Sequence, residues 1–286
     1  MGAVYLVVGE RVALVDSGPT TSAPAILEAI SAIGLSPSQI DYIILTHIHL
    51  DHAGGAGLLA TYSPRAQVLA HHNATKHLIE PSRLVASAAA AQGKEAMLRN
   101  GEMLPVEGQR ILPVRDGDKV DLGEGQVLTL LETPGHAPHS VCIHESRNGG
   151  LFVGDSVGHI VEGTDAMVPI TPPPGFDLDL YLKTLGRLKT FDASRIYFSH
   201  AGVSTRVPEK LDAAARKLRE RQAVIEKAFA AGRAESAFEL VVAHVCSELG
   251  YVRQNLPRVY AYWAEVDIPM SAAEHVRYYR KTLGPA

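Results

Sequence analysis

Short apolar and alternating runs recur along the first two thirds of the chain and predict β-strands. Val, Ile and Leu dominate these runs, and Gly, Pro, Asn or Asp close most of them, as is typical of strands bounded by turns. The predicted strands are residues 4–8, 11–15, 41–46, 66–70, 139–144, 151–153 and 195–198, with a hairpin inside 120–133. Helical spacing predicts helices at 23–34, 77–98 and 177–188, and a short one after Gly54 that ends at Leu59. Strands interleaved with helices indicate sheets covered by helices.

The pattern changes after Pro208, where only helical spacing remains. Five apolar residues then fall on one helical face: Leu211, Ala215, Leu218, Ile225 and Phe229. Residues 238–249 and 272–283 also predict helices. We therefore expect a helical extension at 208–286, packed on a catalytic domain formed by residues 1–207.

The composition is that of a globular protein with a mildly acidic balance. The chain has 286 residues, a net charge of −4 and a sequence pI of about 6.3. Surfaces that bind nucleic acid are usually basic, so this balance argues against a nucleic-acid partner. No apolar run reaches the roughly 20 residues of a membrane span, and the N-terminus lacks the segments of a signal peptide. The two cysteines, Cys142 and Cys246, form no CxxC pair. A cytoplasmic protein without a thiolate zinc site is therefore predicted.

The most concentrated chemistry lies in the run THIHLDH, residues 46–52, at the end of an apolar strand. His47 and His49 are two positions apart, so strand alternation places both side chains on one face. Asp51 and His52 follow in a predicted turn. Three imidazoles and one carboxylate this close together suit a borderline cation such as Zn²⁺ or iron, and are costly to bury without one.

Three further ligand-type residues each follow an apolar strand. His136 lies in TPGHAPHS, Asp155 in LFVGDS and His200 in IYFSHAG. Functional residues are often carried by loops at strand ends. Together with the run at 46–52 they give five histidines and two aspartates, which is enough for two metal ions.

The order of these motifs resembles the metallo-β-lactamase superfamily and, within it, the glyoxalase-II-like hydrolases most closely. The resemblance covers residues from about 4 to 202. It implies a fold of the α/β (α+β) class, an αββα sandwich of two mixed sheets flanked by helices. It also implies two divalent metal ions, zinc first, with iron or manganese as the other candidates.

The resemblance assigns a role to each site residue. His47, His49 and His136 would hold the first ion, Asp51, His52 and His200 the second, and Asp155 would bridge the two. Asp16, in a Ser-Gly-Pro turn after the second strand, would orient the metal-binding run through hydrogen bonds; a local Asx-turn is its alternative role. His139 is a weaker candidate that would face the substrate. No partner is evident for His71 and His72, and the other histidines are interpreted as surface or core residues: His77, His144, His159, His244 and His275.

The implied function is hydrolysis by a hydroxide that bridges two ions, with Asp51 bonded to it and carrying its proton to the leaving group. A GxSxG elbow and an HExxH motif are absent from the sequence, which disfavours a covalent serine mechanism. The favoured substrate is a small carboxylic ester, thioester or lactone. A helix near residues 86–98 is a candidate lid over it.

Three alternatives stay open at this point, because a fold does not fix a function. The first is a phosphodiesterase or phosphotriesterase acting on a small substrate. The second is an iron-dependent persulfide dioxygenase, and the third is a non-catalytic metal-binding scaffold.

The aromatic residues of the extension, among them Tyr262 and Trp263, are predicted to pack on the core rather than to line a substrate groove. The helices of the extension are also a candidate surface for contact between copies of the chain in a homo-oligomer.

Overall fold

Two β-sheets pack face to face, and helices cover the outer surface of each. The structure, a computed structural model, describes residues 2–161, 164–200 and 202–282. The first sheet contains β1 (Tyr5–Val8), β2 (Val12–Val15), β3 (Ile40–Ile44), β4 (Gln67–His71) and β5 (Ile111–Val114). The second contains β6 (Lys119–Asp121), β7 (Val127–Glu132), β8 (Val141–Glu145), β9 (Gly150–Phe152), β12 (Arg195–Phe198) and β13 (Gly202–Ser204). A separate short ribbon is formed by β10 (His159–Ile160) and β11 (Met167–Val168).

Both sheets are mixed, as the resemblance implied. The first has the order β1-β2-β3-β4-β5, and only its β1–β2 pair is antiparallel. The second has the order β13-β12-β9-β8-β7-β6, and only its β9–β12 pair is parallel. Between the sheets, Val15 and Ile44 of the first pack in one buried cluster with Leu130 and Ile143 of the second.

The helices form the two outer layers. They are α1 (Ala23–Ala32), α2 (Leu50–Ala53), α3 (Ala56–Tyr62), α4 (Thr75–Ile79), α5 (Ser82–Asn100), α6 (Leu178–Leu188), α7 (Val207–Ala230), α8 (Ala237–Ser247), α9 (Gly250–Asn255), α10 (Pro257–Tyr262) and α11 (Ile268–Thr282). Apolar residues of α1 to α5 cover the first sheet, and those of α6 and α7 cover the second. None of the helices in the described ranges is both long and apolar enough to cross a bilayer.

The extension is helical, as predicted, and it shares a core with the second sheet. Leu211 and Leu218 of α7 are fully buried in one cluster with Ile196 and Phe198 of β12. The later helices add a second cluster, which includes Val168 of β11. The division into two domains at residue 207 stays a prediction.

Three element predictions were wrong, each for a local reason. The single helix predicted at 77–98 is two helices, because a residue before proline disfavours the helical region and Glu80 before Pro81 is extended. Asp51 lies in the short helix α2 and not in a turn, since the backbone N–H of Ala53 bonds back to the carbonyl of His49, four positions earlier. The strand β5 was missed because it contains Pro113, which its position at a sheet edge tolerates.

Candidate metal centre

The site residues named from the sequence lie at one end of the sandwich, just beyond the carboxyl ends of five strands. Asp16 follows β2, residues 46–52 follow β3, His136 follows β7, Asp155 follows β9 and His200 follows β12. Because β2 and β3 are parallel neighbours in one sheet, and β9 and β12 in the other, their carboxyl ends point the same way. The sheet topology thereby gathers residues from five separate segments.

One group of ligand-type atoms joins three imidazoles to a carboxylate. His47, His49, His136 and Asp155 each offer one atom, and these atoms lie within 4.8 Å of one another. His136 Nε2 is 3.1 Å from His49 Nδ1 and 3.6 Å from Asp155 Oδ2. Two nitrogen ligands of a tetrahedral zinc ion are roughly 3.3 Å apart, so these spacings are those of atoms that share one ion.

A second group lies beside the first. Asp51, His52 and His200 also offer atoms within 4.8 Å of one another. His200 Nε2 is 3.2 Å from His52 Nε2 and 3.4 Å from Asp51 Oδ2. Asp155 Oδ2 lies 3.5 Å from His52 Nε2, so the oxygen that faces the first group also faces the second. This is the placement that a bridging carboxylate requires.

Hydrogen bonds orient the rings so that Nε2 of His52 and of His136 faces the cluster. His52 Nδ1 lies 2.9 Å from the Asp16 carboxylate, and His136 Nδ1 lies 2.9 Å from the carbonyl oxygen of Ile170. Both oxygens can only accept, so both Nδ1 atoms donate and both Nε2 lone pairs stay available. Histidines that bind metals typically donate their other N–H in this way.

Asp16 connects three distant segments beneath the cluster. Its Oδ1 accepts hydrogen bonds from the backbone N–H and the hydroxyl of Thr46, at 2.8 and 2.9 Å. Its Oδ2 accepts from the hydroxyl of Ser199 at 3.0 Å, besides the bond to His52. Asp16 has a φ of 62°, a region that aspartate tolerates better than most residues. These partners lie at least 30 positions away, which a local Asx-turn would not explain.

The turn that carries His136 depends on the glycine before it. Gly135 has a φ of 137°, and a Cβ built there would lie 2.3 Å from the Cα of Tyr181. Tyr181 in turn donates its hydroxyl to the carbonyl oxygen of Asp155 at 2.7 Å. The close approach of the turn to α6 therefore fixes His136 and Asp155 relative to each other.

Burial keeps most of these imidazoles neutral and able to bind a cation. It lowers the pKa of His49 to about 3 and that of His136 to about 4. His52 is different: burial opposes its charge, but the nearby carboxylates, Asp155 foremost, outweigh burial and raise its pKa well above 6.5. A metal ion competes with such protons, so binding here would release them.

Two buried atoms indicate that the residues fit a cation. Within the described ranges, His47 Nε2 and Asp155 Oδ1 have no hydrogen-bond partner. His47 is 2 % exposed and Asp155 is 5 % exposed, so both side chains are shielded from bulk solvent. An unsatisfied buried polar group costs about 1–3 kcal/mol. A divalent ion would satisfy both atoms, and the mixture of imidazole and carboxylate ligands suits Zn²⁺, Fe²⁺ or Mn²⁺.

The ligand-type atoms open onto a cavity of about 160 Å³. His139 lines it and stacks on His47 with ring centroids 6.3 Å apart, so it faces the pocket as expected. Helix α5 forms one wall, and it is broken at Gly93, whose φ is 80°. Tyr262 of the extension lines the cavity while Trp263 packs in the core. The aromatic residues of the extension are therefore divided between the two roles.

His159 is the site residue that sequence reasoning missed. It was interpreted as a surface or core histidine, but its Nε2 lies 3.5 Å from Asp155 Oδ1. Its ring centroid is 4.0 Å from that of His200. A signal was available, because His159 follows Asp155 by only four positions.

His71 and His72 do have a partner, contrary to the sequence reading. Both rings face Glu132, at 3.3 and 3.4 Å, and the three side chains could be mistaken for a third metal site. However, His71 Nδ1 accepts the backbone N–H of Asn73 at 3.1 Å. The proton of the neutral ring therefore lies on Nε2, which faces Glu132 as a donor and not as a metal ligand.

Replacing His72 with alanine is therefore expected to leave the number of bound metal ions per chain unchanged. The 3.3 Å contact between His71 Nε2 and Glu132 does not involve His72 and remains. Elemental analysis of zinc-reconstituted protein checks this, with His136→Ala as the comparison that should lose metal. Loss of one ion from His72→Ala would show that this cluster binds a cation after all.

Comparisons with known proteins show which proteins the chain resembles. The family model described as the metallo-beta-lactamase superfamily matches residues 1–200. The metallo-beta-lactamase fold-containing protein ST1585 of Sulfurisphaera tokodaii is 30 % identical over 213 residues. The match covers 72 % of this chain and 76 % of the relative. The solved structure of ST1585 superposes with a TM-score of 0.64 at 27 % identity, covering 77 % of this chain and 80 % of the other.

Two further relatives carry functional names. A probable metallo-hydrolase of Bacillus subtilis, YqjP, is 27 % identical over 79 % of this chain and 70 % of its own length. An N-acyl homoserine lactonase from Bacillus is 27 % identical over 63 % of each chain. The expectation that the chain resembles glyoxalase-II-like hydrolases most closely within the superfamily stays a prediction.

Proposed function

The chain belongs to the metallo-beta-lactamase superfamily, and from this premise we propose that it hydrolyses a small carboxylic ester, thioester or lactone with two divalent metal ions. The observation that carries the proposal is the convergence of imidazole nitrogens and carboxylates from four strand ends beside one small cavity. The similarity to a probable metallo-hydrolase and to an N-acyl homoserine lactonase supports a hydrolytic reaction at a carbonyl group.

In this proposal the ligands divide as the two groups of atoms do. His47, His49 and His136 hold one ion, Asp51, His52 and His200 hold the other, and Asp155 is shared. Two such ions, when bound, supply a water of lowered pKa and positive charge that stabilises an oxyanion. Zinc, iron and manganese all accept mixed imidazole and carboxylate ligands. Zinc is proposed as the first candidate, before iron and manganese.

Asp51 is the side chain placed to move a proton. Its side chain is 40 % exposed, against 6 % for Asp155, and it lines the cavity. Burial works against its charge, but His52 and His200 outweigh burial and lower the pKa of Asp51. The lowered pKa keeps this carboxylate ionised, and its position at the cavity would let it take a proton from the attacking water and pass it to the leaving oxygen or sulfur.

The cavity favours a small substrate. Its volume of about 160 Å³ is below the roughly 300–1,000 Å³ of pockets for drug-sized ligands. Leu84 and Ala88 of α5 give it an apolar wall, and the break at Gly93 is a place where α5 could bend as a lid. Arg99 is the one Lys or Arg lining the cavity among the described residues, and its guanidinium has no hydrogen bond or ion pair there. A substrate with a carboxylate would supply that partner.

The test is hydrolysis by zinc-reconstituted protein across a thioester, a lactone, an aryl ester, a phosphodiester, a phosphotriester and a β-lactam. We expect turnover of the carbonyl substrates that is abolished by a chelator and restored by zinc. His136→Ala should be inactive toward each of them, because it removes an imidazole from the first group. His72→Ala serves as the matched variant that should stay active.

Three outcomes would overturn the proposed function. Turnover confined to phosphoesters would identify a phosphoesterase, since the same charges stabilise a phosphoryl oxygen. Consumption of oxygen with a persulfide, by iron-loaded protein and without hydrolysis of any ester, would identify a dioxygenase. Silence in every assay by protein that binds two ions would favour the non-catalytic scaffold.

A further inference from the structure

A histidine and a carboxylate outside the expected ligand set also reach the metal centre. His159, in β10, lies between Asp155 and the extension. Its Nε2 is 3.5 Å from Asp155 Oδ1, and its Nδ1 is 3.4 Å from Asp267 Oδ2. Asp267 ends the π-helical turn Trp263–Asp267, which joins α10 to α11. Such turns are frequent at functional sites.

Three atoms along this path are buried without a hydrogen-bond partner in the described part of the chain. They are Asp155 Oδ1, His159 Nε2 and Asp267 Oδ2. Their residues are only 5–6 % exposed. The 3.5 Å between His159 Nε2 and Asp155 Oδ1 is longer than an ordinary hydrogen bond, and the two atoms face each other across it. A cation between the imidazole and the carboxylate would account for it.

The spacing around His159 is that of ligands sharing one ion. Asp155, His159 and His200 each offer an atom within 4.8 Å of the others. Asp155 Oδ1 is 3.5 Å from His159 Nε2 and 3.6 Å from His200 Nε2. A nitrogen and an oxygen ligand of one zinc ion are roughly 3.3–3.5 Å apart. His200 belongs to the second group, so His159 extends that group and not the first.

The carboxylate behind the ring completes the pattern. A metal-binding histidine usually donates its second N–H to a carboxylate, which orients the ring and strengthens the ligand. Asp16 does this for His52 through a hydrogen bond of 2.9 Å, and Asp267 Oδ2 faces the Nδ1 of His159 at the longer distance of 3.4 Å. The first carboxylate lies after β2, whereas the second lies in the extension.

We propose that His159 is a further ligand of the ion held by Asp51, His52 and His200, and that Asp267 of the extension orients it. The inference rests on the metal centre of the proposed function but is independent of the substrate. It makes the extension part of the metal site, because Asp267 Oδ2 is the carboxylate oxygen that lies 3.4 Å from the second ring nitrogen of His159.

The test is a cobalt(II) titration of the metal-free protein, followed by its visible absorption and by competition with a chelator. The variants are His159→Gln and Asp267→Asn, with His72→Gln and Glu265→Gln as matched controls. Glu265 is an exposed carboxylate on the same π-helical turn. We expect His159→Gln to bind the first ion normally and the second about 10–100-fold more weakly, with a changed cobalt spectrum. Asp267→Asn should weaken the second ion while keeping the ligand and hence the spectrum.

An unchanged second-ion affinity and cobalt spectrum in folded His159→Gln would overturn the inference and leave the two-ion function standing. A wild-type protein that takes up only one ion would overturn the two-ion function itself. If His159→Gln does not fold, His159→Gly with added imidazole replaces it. Return of second-ion binding with imidazole would support ligation, and no return would count against it.

Discussion

Asp155→Ala is expected to lower the metal content of the protein from two ions per chain toward one or none, and to reduce hydrolysis by at least about 100-fold. The Asp155 side chain is 6 % exposed, and its Oδ2 lies 3.5 Å from His52 Nε2 and 3.9 Å from His47 Nε2. It is the carboxylate that faces both groups of ligands. Without it, two positive ions would lie close together with no shared negative charge between them.

Elemental analysis after zinc reconstitution measures the first effect, and initial rates on the best carbonyl substrate measure the second. Asp165→Ala is the matched control, because the Asp165 side chain is 82 % exposed and lies outside both ligand groups. Asp155→Asn keeps the shape of the side chain but removes its negative charge. This variant should also lose metal. A folded Asp155→Ala protein with two ions per chain would refute the bridging role.

Removal of the extension from residue 207 onward is expected to leave the remaining chain unfolded or aggregated. Leu211 and Leu218 are fully buried against the second sheet, and burial of one such side chain contributes about 1.5–3 kcal/mol. Whole domains are stable by only about 5–15 kcal/mol. The loss of α7 alone therefore removes a large fraction of that stability, and it exposes an apolar face of the second sheet.

Soluble yield and circular dichroism of the truncated chain measure this effect. Denaturant unfolding of a point variant measures how much one buried side chain contributes to the free energy of unfolding. Leu218→Ala should lower the free energy of unfolding by about 3–5 kcal/mol. Leu180→Ala is the matched control, since Leu180 is 39 % exposed, and it should change that free energy by less than about 0.5 kcal/mol. A soluble truncated protein with full metal content and activity would contradict both the shared core and the role inferred for Asp267.

The layers of the fold and the ligand-type residues could be predicted from the sequence because their signals are local. The run at residues 46–52 contains four ligand-type side chains within six positions, and each remaining one follows an apolar strand. Boundaries were less predictable where two local rules competed. At residues 77–98 the helical composition predicted one helix, whereas the extended Glu80 before Pro81 separates two.

The partners of the site residues could not be predicted, because they lie far apart along the chain. Asp16 bonds to Ser199, 183 positions away, and His71 meets Glu132 across two sheets. In the sequence, His159 is one histidine among several without a motif. Only the packing of the extension brings Asp267 Oδ2 to 3.4 Å from His159 Nδ1.

The sequence by itself determined the strand-and-helix alternation, the helical extension and seven ligand-type residues, since each depends on spacing within one segment. The tertiary structure alone decided which atoms face one another, because strand order and the packing of the extension bring four strand ends and Asp267 around one cavity. The proposed bridging by Asp155 and the proposed ligation by His159 both depend on that assembly. They depend on distances of 3–4 Å between segments that no local pattern relates.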